Sequence, residues 1–444
     1  MEQDITITVL TPEFYNYGAM LIAGILKDEG YHVKLQKGFE NTITADIIFI
    51  SIHSTIHLLK YQKEIEKIDG FKIVGGPVSQ SPELVFKYLN PDLVVVGEGE
   101  FVVTDLIKAI SHDKEVINKD CLKKINGIAF NEKGNIILNN PAQPAILQGR
   151  PIPLIPEDIS FEDIRGANVY IETHRGCPGN CGFCQVPYFF GRDIRSRPME
   201  DILSEVNEFL KKGAKKIAIS GGTGTLYGSK KFRGIDETEF IELIKQISKL
   251  TGPENLTIPD IRVDMINENI LEAIEKYTNG WIFFGIESGS EKILKSMKKG
   301  INLDHVRESV ESARKKGVKV AGSFIVGYPG ETEEDFDDTL DLADELMLDD
   351  YFVSIAEPIP GTALAEEVKK ISLKENPVFI KSKEYKNQNL SIAETRALRL
   401  MLDSYIFRSV PVPMSDQLFN ALLNEVKSQG KHIKIVTEMI KNLN

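Results

Sequence analysis

Three of the four cysteines, Cys177, Cys181 and Cys184, fall within eight positions in the run HRGCPGNCGFCQVPYFFGRDIRSRP. The spacing C-x3-C-x2-C puts three thiolates on one loop. Such a set can bind three irons of a 4Fe–4S cluster and leave the fourth iron open. A structural zinc site is the competing chemistry, but it wants four protein ligands, commonly as two paired knuckles. The remaining Cys121 lies in another region of the chain. Three unrelated core cysteines are the plainest alternative. Glycines at 176, 179 and 182 let the loop curl tightly, and Phe183 stands where it could shield a cluster from water.

A cluster loop needs a rigid frame, and the sequence offers two series of strand-like runs separated by helix-patterned stretches. The second series has strands near Val169–Glu172, Lys216–Ser220, Leu256–Ile258, Trp281–Ile286, Lys319–Val326 and Phe352–Ala356, and the cysteine loop follows the first of them. Six such units are two short of a (β/α)8 barrel, so an open, partial barrel is expected, with its site at the carboxyl ends of the strands. The first series places strands at Ile5–Leu10, Val33–Gln36, Ile47–Ile52, Lys72–Val74 and Leu93–Val96, with helices such as Ala19–Glu29 and Leu58–Ile68. That alternation implies a doubly wound parallel sheet. INGIAFNEKGNIIL reads as a hairpin turning near Lys133-Gly134-Asn135. The expected organisation is an α/β domain over 1–140, a proline-rich linker over 141–165, the partial barrel over 166–365 and a helical carboxyl-terminal region over 366–444.

Composition agrees with a globular protein: 444 residues, 42% hydrophobic and 27% charged. That length suggests two domains, with room for a small third. A net charge of −12 argues against a protein that coats nucleic-acid phosphates. The start MEQDITITVL has no basic stretch followed by an apolar one, and no run of about 18 apolar residues occurs, so neither secretion nor a membrane span is expected. Clustered cysteines then belong in a reducing cytoplasm, where they point to a metal rather than to disulfides.

With an aromatic residue before its last cysteine, the loop resembles that of the radical S-adenosylmethionine (SAM) superfamily. The resemblance implies that the open iron chelates the amino and carboxylate groups of SAM, whose reductive cleavage yields a 5′-deoxyadenosyl radical. It also implies an external electron donor such as a ferredoxin or flavodoxin. Further segments agree in order. Gly221, Gly222 and Thr223 fall where the family places a glycine pair near the SAM amino group, with Thr223 where many members carry an acidic residue. Arg262 and Asp264 match the carboxylate region, and Glu287 resembles the ribose-region carboxylate. Ser323, Val326 and Gly327, within SFIVGYPG, resemble the segment that meets adenine, and PIPGT (358–362) closes the sixth unit. Each glycine-rich turn alone is ordinary turn chemistry.

The amino-terminal sheet resembles a cobalamin-binding domain through Tyr17 and Gly18 opening the first helix, IIFISIHS with His53 and Ser54, Gly75-Gly76-Pro77, and Gly97-Glu98-Gly99. Cobalamin mutases carry a cobalt-ligating histidine after the first strand, whereas this chain has TPEFYNYG there. Many radical SAM methyltransferases also lack that histidine. His53 and His57 are candidates for the lower face of the corrin, or are surface and helix-start residues; Tyr15 and Tyr17 read as packing residues. An empty fold of the same type is the alternative.

Together the two resemblances imply a C-methyltransferase: a radical removes hydrogen from an unactivated carbon, which then takes a methyl from methylcobalamin. The cysteine run is most similar to methanogen proteins that methylate methyl-coenzyme M reductase, in particular a glutamine C-methyltransferase. A protein or peptide substrate follows, with Tyr188–Arg197 lining its cleft or forming a packed loop with a solvated charged face. A methylthiotransferase would need three further cysteines, and only Cys121 remains. A cyclase or rearrangement enzyme acting on a small molecule, and a non-catalytic iron–sulfur or cobalamin sensor, stay open as alternatives.

Overall fold

Short runs of Val, Ile and Leu build the parallel strands, because a strand covered on both faces has no polar side to show. In the computed structural model, which describes residues 5–39, 43–111, 119–230 and 234–443, these runs form two main sheets. Residues 1–4, on which the expected lack of a secretory leader partly rests, lie outside the described residues.

The first sheet holds β1 (Thr6–Thr11), β2 (His32–Lys37), β3 (Thr44–Ser51), β4 (Asp69–Gly75), β5 (Leu93–Val95), β6 (Ile128–Glu132) and β7 (Asn135–Leu138). Their order is β2-β1-β3-β4-β5-β6-β7, with the first five parallel and the last two antiparallel. Strand order reverses between β1 and β3, so the loops leaving them diverge and open a crevice at their carboxyl ends. The expected hairpin is present, and Lys133 and Gly134 both take positive φ, as a two-residue turn matched to strand twist requires. One expectation fails. The helix expected over Leu58–Ile68 is two short ones, His57–Lys60 and Gln62–Glu66. Between them Tyr61 donates to Glu13 at 2.9 Å and packs its ring on Phe39 and His57, so tertiary contacts override the local preference.

The second sheet begins with β8 (Val169–Glu172). A two-strand ribbon, β9 (His174–Arg175) and β10 (Arg195–Ser196), then clamps the base of the cysteine loop. β11 (Ile217–Ser220), β12 (Leu256–Ile261), β13 (Trp281–Glu287), β14 (Lys319–Val326) and β15 (Asp350–Ile355) follow. With β8 they make six parallel strands in sequence order, the open barrel expected. Helices Ile392–Phe407 and Asp416–Lys441 form the carboxyl-terminal part, while 371–391 is largely non-helical. Gln429 finishes the open edge of β15: it accepts from the Ile355 N–H at 3.0 Å and donates to the Val353 carbonyl at 3.3 Å. An edge covered in this way offers no unpaired ladder to another chain.

The proline-rich stretch between the two sheets is a packed strap. Leu154 N–H donates to the Met20 carbonyl at 2.8 Å, and Ala145 and Leu147 are buried. A Cβ on Gly24 would sit 2.3 Å from the Ile152 carbonyl oxygen, so helix Tyr17–Asp28 and the strap touch backbone to backbone. Among the described residues no helix is long and apolar enough to cross a membrane.

Candidate functional site

The ribbon pairs Arg175 with Arg195 and His174 with Ser196, which brings both ends of the cysteine loop together. At Gly176 (φ +94°) a Cβ would stand 2.1 Å from the Asp193 carbonyl oxygen, so only glycine fits. Cys177 and Cys181 are buried and Cys184 is half-buried. A Cβ on Gly179 would lie 3.3 Å from Cys177 Sγ and 3.8 Å from Cys181 Sγ, so those two sulfurs flank one point. Backbone bonds tie the loop down: Cys177 N–H to Gly191 at 3.2 Å, Cys184 N–H to Cys181 at 3.1 Å and Gly182 N–H to Met297 at 2.7 Å. Burial raises the pKa of the Cys181 thiol and pushes that of Cys184 to about 12, so a metal must displace their protons to bind. Among the described residues no three His, Cys, Asp or Glu side chains are set to hold a single metal ion. A cluster makes no such demand, because each thiolate binds its own iron.

The other nominated barrel residues gather at the same strand ends. A Cβ on Gly222 would fall 2.3 Å from the Gly176 carbonyl and 2.7 Å from Cys177 Cβ, and one on Gly221 would strike the His174 ring at 2.1 Å. This glycine pair is what lets the loop after β11 press against the cysteine loop. Thr223, beside it, is buried. Arg262 aims Nη1 at Cys181 Sγ (3.7 Å) and holds Asp264 through two bonds of 2.9 Å. Glu287 sits at a register shift between β13 and β14 with φ +72°, a left-handed backbone uncommon outside glycine. Its carboxylate is fixed by Lys299 Nζ at 2.6 Å and Ser323 Oγ at 3.1 Å. Lys299 also lies 5.9 Å from the centre of the Phe183 ring. Val326 and Gly327 have backbone partners already: the Val326 carbonyl accepts from Ala356 at 2.9 Å, and the Gly327 N–H donates to Glu331 at 2.7 Å.

A cavity of about 320 Å3 opens at the crevice between β1 and β3. Tyr17, Gly18, His53, Gly75, Gly76, Pro77, Gly97, Glu98 and Gly99 all line it; Ser54, nominated with them, lines a smaller neighbouring cavity instead. Leu21, Ile22, Phe49, Ile73, Val95 and Val103 give it an apolar depth between sheet and helices. The near-absence of side chains at Gly75 and Gly97 leaves the mouth open, since a Cβ at either would meet its first neighbour only at 3.8 or 3.9 Å. From the other side Glu172, Arg175, Phe189, Phe190 and Ser220 complete the wall, so the cavity reaches the base of the cysteine loop. His53 lines it with an imidazole kept neutral by burial, packed edge-on to His57 at 4.5 Å. His57 lies behind it, buried, its pKa lowered to about 4 chiefly by desolvation.

Two of the nominated stretches meet charged partners. Glu98 lines the cavity, but its carboxylate is taken by Arg175 (2.6 Å) and Arg195. Within the basic end of Tyr188–Arg197, Arg192 is exposed, whereas Arg197 is buried and pairs with Glu205 at 2.8 Å, with the Tyr17 hydroxyl donating to Glu205 at 2.7 Å. These pairs belong to a buried network that pattern reading missed. Arg175 holds Glu98, Glu100 and Glu172, and Arg150 holds Glu172 at 2.5 Å. Burial raises the pKa of Glu172, but Arg175 and Arg150 overcome that and bring it to about 2. His174 is fully enclosed and neutral, its pKa lowered to about 4 by burial. The sequence marks only that charged residues at a strand end facing the core must find partners, and does not say which.

Comparison with known proteins agrees with this geometry. Residues 171–343 match the family model of the radical SAM superfamily. A Methanocaldococcus jannaschii protein provisionally named a methylthiotransferase is 46% identical over 98% of this chain and 96% of its own length. An uncharacterized methyltransferase of Pyrococcus horikoshii is 32% identical over 78% of this chain and 74% of its own. Among solved structures, the radical SAM methyltransferase TsrM of Kitasatospora setae, with cobalamin and a 4Fe–4S cluster bound, superposes with a TM-score of 0.68. That match covers 100% of this chain and 99% of TsrM at 14% identity, a likeness of fold from end to end. On the relative that matches it over nearly its whole length and on the family model that covers the first five strands of its barrel, the chain belongs to the radical SAM superfamily.

Proposed function

We propose that this enzyme is a cobalamin-dependent radical SAM C-methyltransferase that adds a methyl group to an unactivated carbon. The observation that carries the reading is the 320 Å3 cavity, which lies at the reversal point of the first sheet and is walled by Arg175, two residues before Cys177. Its apolar depth and glycine-lined mouth fit a flat ring with a long tail. Cys177, Cys181 and Cys184 would hold the cluster. Gly221, Gly222, Thr223, Arg262, Glu287, Ser323, Val326 and Gly327 would border SAM, and the cavity residues would hold cobalamin. When bound, the cluster and SAM supply a hydrogen-abstracting radical, and cobalamin supplies a methyl group that a carbon radical can accept.

The chain's own part is positioning. Gly222 allows the loops after β8 and β11 to close on each other. The Arg262 guanidinium, beside Cys181, favours the thiolate there. Lys299 and Ser323 hold the Glu287 carboxylate in one orientation, which suits recognition of a diol. Phe189 and Phe190 wall the cavity on the cluster side and keep water out. The proposed acceptor, a glutamine of methyl-coenzyme M reductase, rests on the resemblance of the cysteine run. A ferredoxin or flavodoxin would deliver electrons; nucleic acid is not expected as a partner at a net charge of −12.

The name carried by the Methanocaldococcus relative suggests sulfur insertion as a second reading. With four cysteines in all, only Cys121 remains for a second cluster, and it is exposed on the short helix Lys119–Leu122, which weighs against it. Anaerobic expression with hydroxocobalamin tests the proposal. About four irons and one cobalt per chain, and a product heavier by a methyl rather than a methylthio group, would support it. Iron without cobalt would refute the methyl-transfer part.

A further inference from the structure

A second cavity, of about 200 Å3, adjoins the first and shares His53 with it. Four separate stretches build it: the exit of β3 (His53, Ser54, Thr55), the exit of β4 (Val78), Gln185 just beyond Cys184, and Glu357, Ile359 and Pro360 after β15. Its polar groups are underused. Thr55 is 3% exposed, yet neither its hydroxyl nor that of Ser54 has a hydrogen-bond partner among the described residues. His53 Nδ1 is buried without a partner. Gln185 spends its amide nitrogen on the Pro77 carbonyl at 2.7 Å and keeps its oxygen. Glu357 brings a carboxylate, backed by His432 at 3.4 Å.

Among the described residues no lysine or arginine lines this space, and only His432 stands behind Glu357, so an anion would face a carboxylate there. An apolar group would leave at least four polar groups unsatisfied, each at a desolvation cost. A primary carboxamide matches: two N–H donors for Glu357 and the Gln185 oxygen, and one carbonyl for the hydroxyls. The volume holds a single side-chain group. We propose that this cavity binds a primary carboxamide, from either an amide arm of the corrin in the adjoining cavity or an asparagine or glutamine side chain of the acceptor. The two sources rest on the methyltransferase reading; the carboxamide chemistry does not.

Two titrations of the anaerobically purified, iron-loaded protein decide it. One uses hydroxocobalamin followed by absorbance; the other uses N-acetyl-glutamine methylamide followed by ligand-observed NMR. Glu357→Ala is expected to weaken one of the two ligands by about tenfold or more. Glu357→Gln keeps one acceptor oxygen while losing the charge and exchanging the other oxygen for a donor NH2, and it stays within about threefold of wild type. Weakened hydroxocobalamin assigns the cavity to a corrin amide, and a weakened glutamine amide assigns it to the substrate. The double variant Ser54→Ala/Thr55→Val repeats the measurement should Glu357→Ala not fold. If the variants move neither ligand, or if Glu357→Gln falls as far as Glu357→Ala, the carboxamide assignment is overturned; the latter pattern belongs to a cation. Wild-type protein that binds no cobalamin would refute the methyltransferase reading, while the glutamine-amide titration would still decide the cavity.

Discussion

Replacing Arg175 with methionine removes one cation from three carboxylates. The Arg175 side chain is 5% exposed and touches Glu98 at 2.6 Å, Glu172 at 3.0 Å and Glu100. Glu98 keeps Arg195 and Glu172 keeps Arg150, but Glu100 loses its ion-pair partner. Breaking a buried pair by removing one member costs about 3–5 kcal/mol. Glu172 adds a share of its own, bounded by the joint effect of Arg175 and the retained Arg150. Its pKa falls from 4.5 to about 2, burial opposing and Arg175 and Arg150 prevailing, a difference worth about 3 kcal/mol. Because that pKa is depressed, the stability is present above pH 4.5 and lost as pH falls through 2. With an unfolding entropy of about 2 cal/mol/K per residue, 3–5 kcal/mol lowers the melting temperature of this chain by about 3–5 °C at pH 7. The deficit shrinks near pH 3.5, because the carboxylates that lost Arg175 take up protons in the folded variant while the unfolded state is common to both proteins. Melting followed by circular dichroism at the two pH values checks both statements. A variant that melts with wild type at pH 7, or whose deficit is undiminished at the lower pH, would refute the assignment of these charges.

Cys177→Ala, Cys181→Ala and Cys184→Ala should each abolish 5′-deoxyadenosine formation from SAM, while Cys121→Ala should leave it intact; normal product from any of the first three removes the cluster assignment. Gly222→Ala places a methyl 2.3 Å from the Gly176 carbonyl, an overpacking worth about 1–3 kcal/mol, and should lower the iron bound per chain. Full iron loading in that variant would show that the two loops do not need their close contact. Gly99→Val should crowd the slot beside Ile22 and Val95, which a Cβ already meets at 3.4 and 3.5 Å. Equilibrium absorbance should show hydroxocobalamin affinity down by about tenfold with iron content unchanged; equal affinity would place the cofactor elsewhere.

Much of the frame was legible because branched apolar runs bounded by turn residues leave little choice. β8 and β14 begin and end where the pattern puts them. β12 runs on to Ile261, past the expected end at Ile258, because Pro259 and Asp260 interrupt the apolar run at a register shift, with Asp260 at φ +58°. A bulge is set by the neighbouring strands, so a single strand's sequence does not disclose it. The same holds for Tyr61, whose break in the helix depends on Glu13, about fifty residues earlier. The cysteines and glycines of the site were legible for the opposite reason. Their roles are local: a thiolate must be a cysteine, and a Cβ-free position must be a glycine.

The charged seam was not legible, and its physics says why. Arg175 meets Glu98 across 77 residues of sequence and Glu100 across 75, so no window contains both members of either pair. Buried ion pairs are a poor source of stability, since desolvation offsets most of their attraction. What they supply is uniqueness. An apolar seam between two sheets has no directional contacts, whereas Arg175 holds Glu98, Glu100 and Glu172 at once. That arrangement fixes the exit of β5, which bears Gly97 and Gly99, against the base of the loop that carries Cys177. Two ligands that must react with a shared substrate need a set separation, and a 1 Å error in such a separation can cost a hundredfold in rate. The arginines and glutamates therefore sit where a displacement of one sheet against the other would matter most, between the cavity mouth and the cysteine loop.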